Sequence, residues 1–146
     1  MDAIDQKIIE ELQRNGRAPA SAVSQKVNLS VPAVLERIRK LTNSGVILGY
    51  AARVDRRKLG RGLLAFVFVR LEGCSGIEPF REQMAQFPQV LECHHIAGPY
   101  DYLLKVAVEH TDALEHFLTV QLKTFSGVAE TNTQIVLATL KEASNG

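Results

Sequence analysis

No stretch of this chain is apolar for long enough to cross a bilayer. The longest unbroken run, Leu63 to Val69, has seven residues, where a spanning helix needs about 18–20. Cysteine is scarce as well. Cys74 and Cys93 are too few for a disulfide scaffold or a thiolate zinc site, and reduced thiols in a cytosol are the simpler reading. The start, Met1-Asp2-Ala3-Ile4-Asp5, is acidic where a secretory signal is basic and then apolar. A cytoplasmic protein is therefore expected, without secretion or membrane insertion. A phosphate loop is missing too, because Gly60-Arg61-Gly62 has neither the spacing nor the Lys-Ser/Thr ending of one. What is present is ordinary: 146 residues, 46% hydrophobic and 23% charged. That suits one full-sized domain or two small ones and excludes a disordered chain.

The charge is balanced overall, with 17 Lys/Arg against 16 Asp/Glu, but it is divided along the chain. Residues 1–61 hold 12 basic and 6 acidic side chains, a net of +6, and residues 62–146 hold 5 and 10, a net of −5. A neutral chain split in this way implies that one half meets a polyanion. The plain alternative is solubilising charge distributed by accident.

The first half reads as helices joined by short breaks. Asp2 suits a helix N-cap with Asp5 near the positive end, and Ile4, Ile8, Ile9 and Leu12 follow on one face. Asn15-Gly16 supplies the stop. Pro19 suits the first turn of a second helix presenting Ala22, Val23 and Val27. Asn28 tolerates the left-handed conformation of a tight turn. Ser30 is a good N-cap for a third helix with Pro32 in its first turn, and Val34, Ile38 and Leu41 fall on its core side. Asn43-Ser44-Gly45 ends it.

The outer side of that third helix carries Pro32, Ala33, Glu36, Arg37 and Lys40, with Arg39 at its flank. Two short helices, a tight turn and a cationic outer face describe a helix-turn-helix. The major groove of duplex DNA admits one helix, whose Arg and Lys neutralise phosphates or read guanine edges. A three-helix bundle with an ordinary solvated face is the alternative, and the charge division favours DNA.

After Gly45 the pattern changes. Val46 to Val54 reads as an extended segment, Asp55-Arg56-Arg57-Lys58 as a basic connector, and the domain boundary is placed at 61/62. The second half then alternates: a strand at 63–72, a helix near 77–87, strands at 90–96 and 102–108, a helix near 112–125 and a strand at 128–140. This βαββαβ order is the ferredoxin-like arrangement, with two helices on one face of an antiparallel sheet. The fold class is α+β, a three-helix winged-type helix-turn-helix domain followed by a ferredoxin-like domain. The strand Leu63–Leu71 is apolar on both faces, and helices cover only one. The other face needs a partner, and a two-fold related copy of the chain is the simplest.

The first half resembles the Lrp/AsnC family of transcriptional regulators, the leucine-responsive and asparagine-responsive type. The matching residues are Asp2-x-x-Asp5-x-x-Ile8-Ile9-x-x-Leu12, Asn15-Gly16-Arg17 and Leu29-Ser30-x-x-x-Val34-x-x-Arg37-Ile38-x-x-Leu41. Gly45-Val46-Ile47-x-Gly49-Tyr50 and Val54-Asp55-x-x-x-Leu59-Gly60 follow. The second half is similar to that family's sensing module, through Gly98-x-Tyr100-Asp101-Tyr102-Leu103-Leu104 and Gly127-Val128-x-x-Thr131-x-Thr133-x-Ile135-Val136-Leu137. The resemblance covers nearly the whole chain.

The resemblance implies a regulator of transcription. Its DNA-contacting residues would be Ser30, Pro32, Ala33, Glu36, Arg37, Arg39 and Lys40 on double-stranded DNA. Segment 46–54 would be a hinge strand that takes part in dimer pairing, in a homodimer assembling further to an octamer. A small effector, an amino acid, would bind between sensing modules through Gly98, Tyr100, Asp101, Thr131 and Thr133. Such a ligand offers an ammonium, for which Asp101 is the anion, and a carboxylate, for which Thr131 and Thr133 are donors. Gly98-Pro99-Tyr100-Asp101 is equally a set of turn formers. Three positions depart from the family pattern: Pro19 for a capping Ser, Asn28 for Gly, and Arg56 for a linker Pro.

Enzyme readings are weaker. His94 and His95 are neighbours on a strand and point to opposite faces, so they do not share one metal ion. Cys93 and His95 share a face but lack further ligands of the right type nearby, and Cys93 lacks an oriented base. No metal or cofactor is called for. Some relatives of the family decarboxylate sirohaem-type tetrapyrroles on this fold, but with a His-centred motif where this chain has Gly98–Asp101. A sensing protein without DNA binding is a further alternative.

Overall fold

The computed structural model describes residues 1–143 and divides the chain into two compact units. One is Met1–Arg53 with Glu142 and Ala143, and the other is Val54–Lys141. The expected second domain runs to 146, and its last three residues lie outside the described ones.

The first unit contains α1 (Ala3–Arg14), α2 (Ala20–Val27) and α3 (Val31–Asn43). Its local chemistry agrees with its periodicity. Asp2 accepts from the Asp5 amide while the Asp5 carboxylate accepts from the Asp2 amide, both at 2.9 Å, closing a capping box at α1. The α1 C-cap is Asn15, and Pro19 is the N-cap of α2 rather than its first helical residue. Its ring fixes φ at −66° in an extended conformation just before the helix. Ile8, Val23, Val27, Val34 and Leu41 form the buried core, with Ile4, Leu12 and Ile38 packed against it. The apolar stripes of three amphipathic helices meet there.

Segment 46–54 forms no helix and no strand. Its start is pinned by Val46 and Ile47 amides donating to the Leu41 carbonyl at 2.9 and 3.1 Å. Beyond that it enters no strand ladder, and Leu48 and Val54 are exposed. The pairing that the resemblance implies for this segment is with the second copy of a dimer. An extended segment becomes a strand only against a neighbour, and the described residues of this chain supply none.

The second unit has β1 (Leu63–Leu71), α4 (Ile77–Gln86), β2 (Val90–His95), β3 (Tyr102–Val108), α5 (Thr111–His116) and β4 (Val128–Ile135). A π-helical segment, 117–122, continues α5. The four strands form one antiparallel sheet in the order β2-β3-β1-β4. This is the expected ferredoxin-like arrangement, with β4 ending at Ile135 rather than near 140. Val67, Val69, Leu104 and Val106 face α4 and α5 and close over Phe80, Met84, Leu114, Phe117 and Leu122. Gly76 at the start of α4 is fixed by a close approach: a Cβ there would lie 3.0 Å from the Ser126 carbonyl oxygen. The opposite face carries Leu64, Phe66 and Phe68 from β1 and Leu103 and Ala107 from β3, by strand alternation. Charged pairs rim it, Arg70 with Glu130 and Lys105 with Glu92.

Candidate DNA interface and effector pocket

The corner between α2 and α3 depends on Asn28, which sits at φ 53°, ψ 45°. In that left-handed conformation its amide and that of Leu29 both donate to the Ser24 carbonyl. Asn adopts this conformation more readily than most side chains, so it replaces the usual Gly at small cost. Ser30 then caps α3, its Oγ accepting from the Ala33 amide at 3.3 Å, with Pro32 in the first turn. Val34 and Leu41 are buried. Pro32, Leu35, Glu36 and Arg39, at i, i+3, i+4 and i+7, share the outward face, and Lys40 is exposed beside them.

The charges on that face are largely internal. Arg39 donates to both Glu36 oxygens at 2.9 and 2.7 Å, and Lys40 Nζ lies 3.9 Å from Glu36 Oε1. Arg39 holds the Glu36 carboxyl below its ordinary range. Arg37 turns away from its neighbours: its Nη1 donates to Asp2 and to Asp5 at 2.8 Å each, across to the start of α1. Asp2 is held at about 2, first by the Asp5 amide and then by Arg37. Arg37 is held above its ordinary value by the same two carboxylates, Asp2 first. This clamp was not visible in the sequence, because helical periodicity assigns a face but not a partner 32 or 35 residues away.

Sequence reasoning also passed over Leu35. Its side chain is 52% exposed on the outward face. It falls off the Val34–Ile38–Leu41 stripe, which was the available signal. An apolar group there can meet a thymine methyl in a major groove.

In the second unit, Gly98 occupies φ 130° in an exposed turn. Asp101 is engaged structurally. Its Oδ2 accepts from the Leu71 amide at 2.7 Å, its own amide donates to the Val69 carbonyl at 2.9 Å, and its carbonyl accepts from Ile96 at 2.9 Å. The carboxylate thereby satisfies β1 where the ladder with β4 shifts register at Arg70/Leu71. Tyr100 lies with its ring 5.5 Å from Phe68 and its hydroxyl donating to Glu130 Oε1 at 3.2 Å. Arg70 binds Glu130 at 2.9 Å and holds its carboxyl low, with Tyr100 adding to the effect.

Thr131 and Thr133 pair with Val69 and Val67, so they lie on the helix-covered face of edge strand β4. Glu130, by contrast, shares the open face with Arg70, and so does the Tyr100 hydroxyl bonded to it. Within one chain the fold brings Tyr100 and the Gly98–Asp101 turn together and leaves the two threonines on the other face. Adjacent His94 and His95 lie opposite Leu103 and Tyr102 and so point apart. A cavity of about 450 Å³ opens beside α4, lined by Arg81, Ala85, Cys93, His95 and Tyr102. Arg81 Nε donates to the Tyr102 hydroxyl at 2.7 Å, His95 stacks on that ring, and burial pushes the Cys93 thiol up. A protonated thiol beside a guanidinium favours neither a cation nor nucleophilic attack.

Residues 1–42 match the AsnC-type helix-turn-helix domain, and residues 64–145 match the Lrp/AsnC ligand binding domain. The chain is 36% identical over 144 residues to the HTH-type transcriptional regulator FL11 of Pyrococcus horikoshii, covering 99% of this chain and 94% of that protein. It is 35% identical over 146 residues to the leucine-responsive regulatory protein of Escherichia coli, covering 99% and 89%. Among solved structures, it superposes on a Neisseria meningitidis transcriptional regulator in complex with L-Met with a TM-score of 0.95 at 31% identity, covering 99% of this chain and 94% of that one. For E. coli AsnC the TM-score is 0.90 at 25% identity, covering 97% and 95%.

Proposed function

The chain belongs to the Lrp/AsnC family of transcriptional regulators, with that family's helix-turn-helix and ligand-binding domains, and from this premise we propose how the two halves divide the work. Residues 1–61 bind duplex DNA by setting α3 into the major groove, with Ser30, Pro32, Ala33, Glu36, Arg39 and Lys40 at the contact and Arg37 beneath them. Residues 62–146 bind an amino acid and carry the assembly contacts. The observation that carries this reading is the α2–α3 corner. Asn28 fixes the turn, Val34 and Leu41 anchor one side of α3, and the opposite side is left exposed.

The open sheet face supports a two-fold dimer, since Phe66, Phe68 and Leu103 are unclad by helices and lie inside a charged rim. A dimer presents two copies of α3 to a two-fold related site, and dimers assemble further to an octamer. The amino-acid effector is supported by relatives named for leucine and solved with L-Met. Its pocket forms at Gly98, Tyr100 and Asp101 of one module, and Thr131 and Thr133 contribute from a neighbouring one. Effector binding shifts the population of assembly states by preferring one of them. The protein acts in the cytoplasm and is not an enzyme.

Calorimetric titration with each of the twenty amino acids, paired with sedimentation velocity, tests the sensing half. Saturable heat from one or a few of them, with a change in assembly size, is the expected result. Absence of heat with all twenty overturns the amino-acid reading.

A further inference from the structure

Most of the net positive charge of the N-terminal half lies after its three helices. Residues 1–52 hold seven Lys/Arg and five Asp/Glu, a net of only +2, while 53–61 hold five Lys/Arg and one Asp, a net of +4. The ion pairs sharpen the contrast. Arg14 and Lys26 are held by Glu11, Arg37 by Asp2 and Asp5, and Arg39 and Lys40 by Glu36. Only Lys7 and Arg17 of that stretch stand without a carboxylate among the described residues. Cations already paired with carboxylates release fewer counterions when they meet a polyanion.

Segment 55–61 is built the other way. Its only acid, Asp55, is used as a cap, with Oδ1 accepting from the Arg57 amide at 2.9 Å. The backbone then closes a helical turn: Leu59 donates to Asp55, Gly60 to Arg57 and Arg61 to Arg56, at 3.2, 3.0 and 2.8 Å. Gly60 takes φ 76° to end it. Arg57 and Lys58 are exposed and meet no carboxylate among the described residues, and Arg61 reaches only the neutral Pro88 carbonyl at 3.4 Å. A hydrogen-bonded turn thus presents three cations whose side chains form no ion pair among the described residues.

We infer that the 55–61 turn is a second DNA contact, a phosphate-binding segment in which Arg57, Lys58 and Arg61 receive backbone phosphates. The inference rests on the DNA-binding reading above and deepens it. The α3 face supplies shape and base contact, and the turn supplies most of the electrostatic attraction. Phosphate contacts fix position without reading sequence, so this segment raises affinity for every duplex alike.

The test is fluorescence anisotropy of a labelled random-sequence duplex with the full chain over a series of KCl concentrations. Wild type is compared with Arg57→Ala/Lys58→Ala and with Lys123→Ala/Lys141→Ala, which removes the same charge elsewhere. The salt slope of log K is expected to shrink by about 0.9 for each phosphate no longer neutralised, so by about 1.8 in the first variant and not in the second. Arg57→Lys, which keeps a point charge, is expected to retain the wild-type slope. Unchanged slope in the first variant, or an equal change in the second, overturns the inference while leaving DNA binding intact. Wild type that binds no duplex at any salt overturns the DNA-binding reading and this inference together.

Discussion

Arg37 Nη1 donates to Asp5 Oδ1 at 2.8 Å, joining the middle of the third helix to the first turn of the first. The same nitrogen reaches Asp2 Oδ2 at 2.8 Å, so one guanidinium is held by both members of the α1 capping box. The residue that sequence places on a DNA-reading face is, in the fold, the clamp that sets α3 against α1. Arg37→Ala is therefore expected to lower the melting temperature of the N-terminal unit, followed by circular dichroism. Lys40→Ala, at an exposed position with only a long contact to Glu36, is expected to leave melting unchanged and weaken DNA binding. Equal melting temperatures for both variants would contradict the clamp.

The same clamp gives a pH dependence with a definite sign. Asp2 is held at about 2, below its ordinary 3.8, by the Asp5 amide and Arg37. A carboxyl lowered in the folded state stabilises the fold above its unfolded value and loses that contribution as pH falls through the folded one. Wild type is thus expected to exceed Asp2→Asn in melting temperature at neutral pH, with the gap closing between 3.8 and about 2. The group is exposed and solvent-screened, so the gap is modest. A gap that widened toward acid would refute the assignment.

Ile8 is fully buried among Val23, Val34 and Leu41. Ile8→Ala leaves a cavity and is expected to cost about 2–5 kcal/mol, which is large because a small unit is held folded by only about 0.05–0.15 kcal/mol per residue. Urea unfolding should then show two steps, with DNA binding lost in the first and the sheet retained until the second. A single coincident transition at the wild-type midpoint would count against two separable units.

Asp101 ties the turn before β3 to the end of β1 through the Leu71 amide. Asp101→Ala removes the acceptor from a partly buried N–H and is expected to destabilise the second unit by about 1–3 kcal/mol, whether or not effector is present. Asp101→Asn keeps an acceptor and is expected to restore most of that stability without restoring the effector response. An alanine variant as stable as wild type would remove the structural role.

Much of the fold was legible because local chemistry and periodicity agreed. Asp2, Asn28 and Ser30 each serve the cap or turn their side chains suit. The two-faced apolar run Leu63–Leu71 became the β1 strand with β3 and β4 on either side. What stayed hidden depends on side-chain partners that periodicity does not assign. The Arg37 clamp and the Asp101–Leu71 bond, like the local Glu36–Arg39 pair, use side chains whose type fits the functional role equally well. Segment 46–54 has strand-like alternation but meets no neighbouring strand among the described residues. Thr131 and Thr133 were grouped with Tyr100 by motif, and strand pairing puts them on the opposite face.

The central claim is a regulator that reads specific DNA and senses an amino acid, and selection of fragments from the source genome by the full chain tests it most directly. The selection is run at near-physiological salt, with and without a pool of the twenty amino acids. Enrichment of a few sites sharing a two-fold motif, altered by the pool, is the expected result. Retention of all fragments alike, vanishing steeply with salt, would reduce the protein to a phosphate binder, and retention of none in either condition would contradict the claim outright.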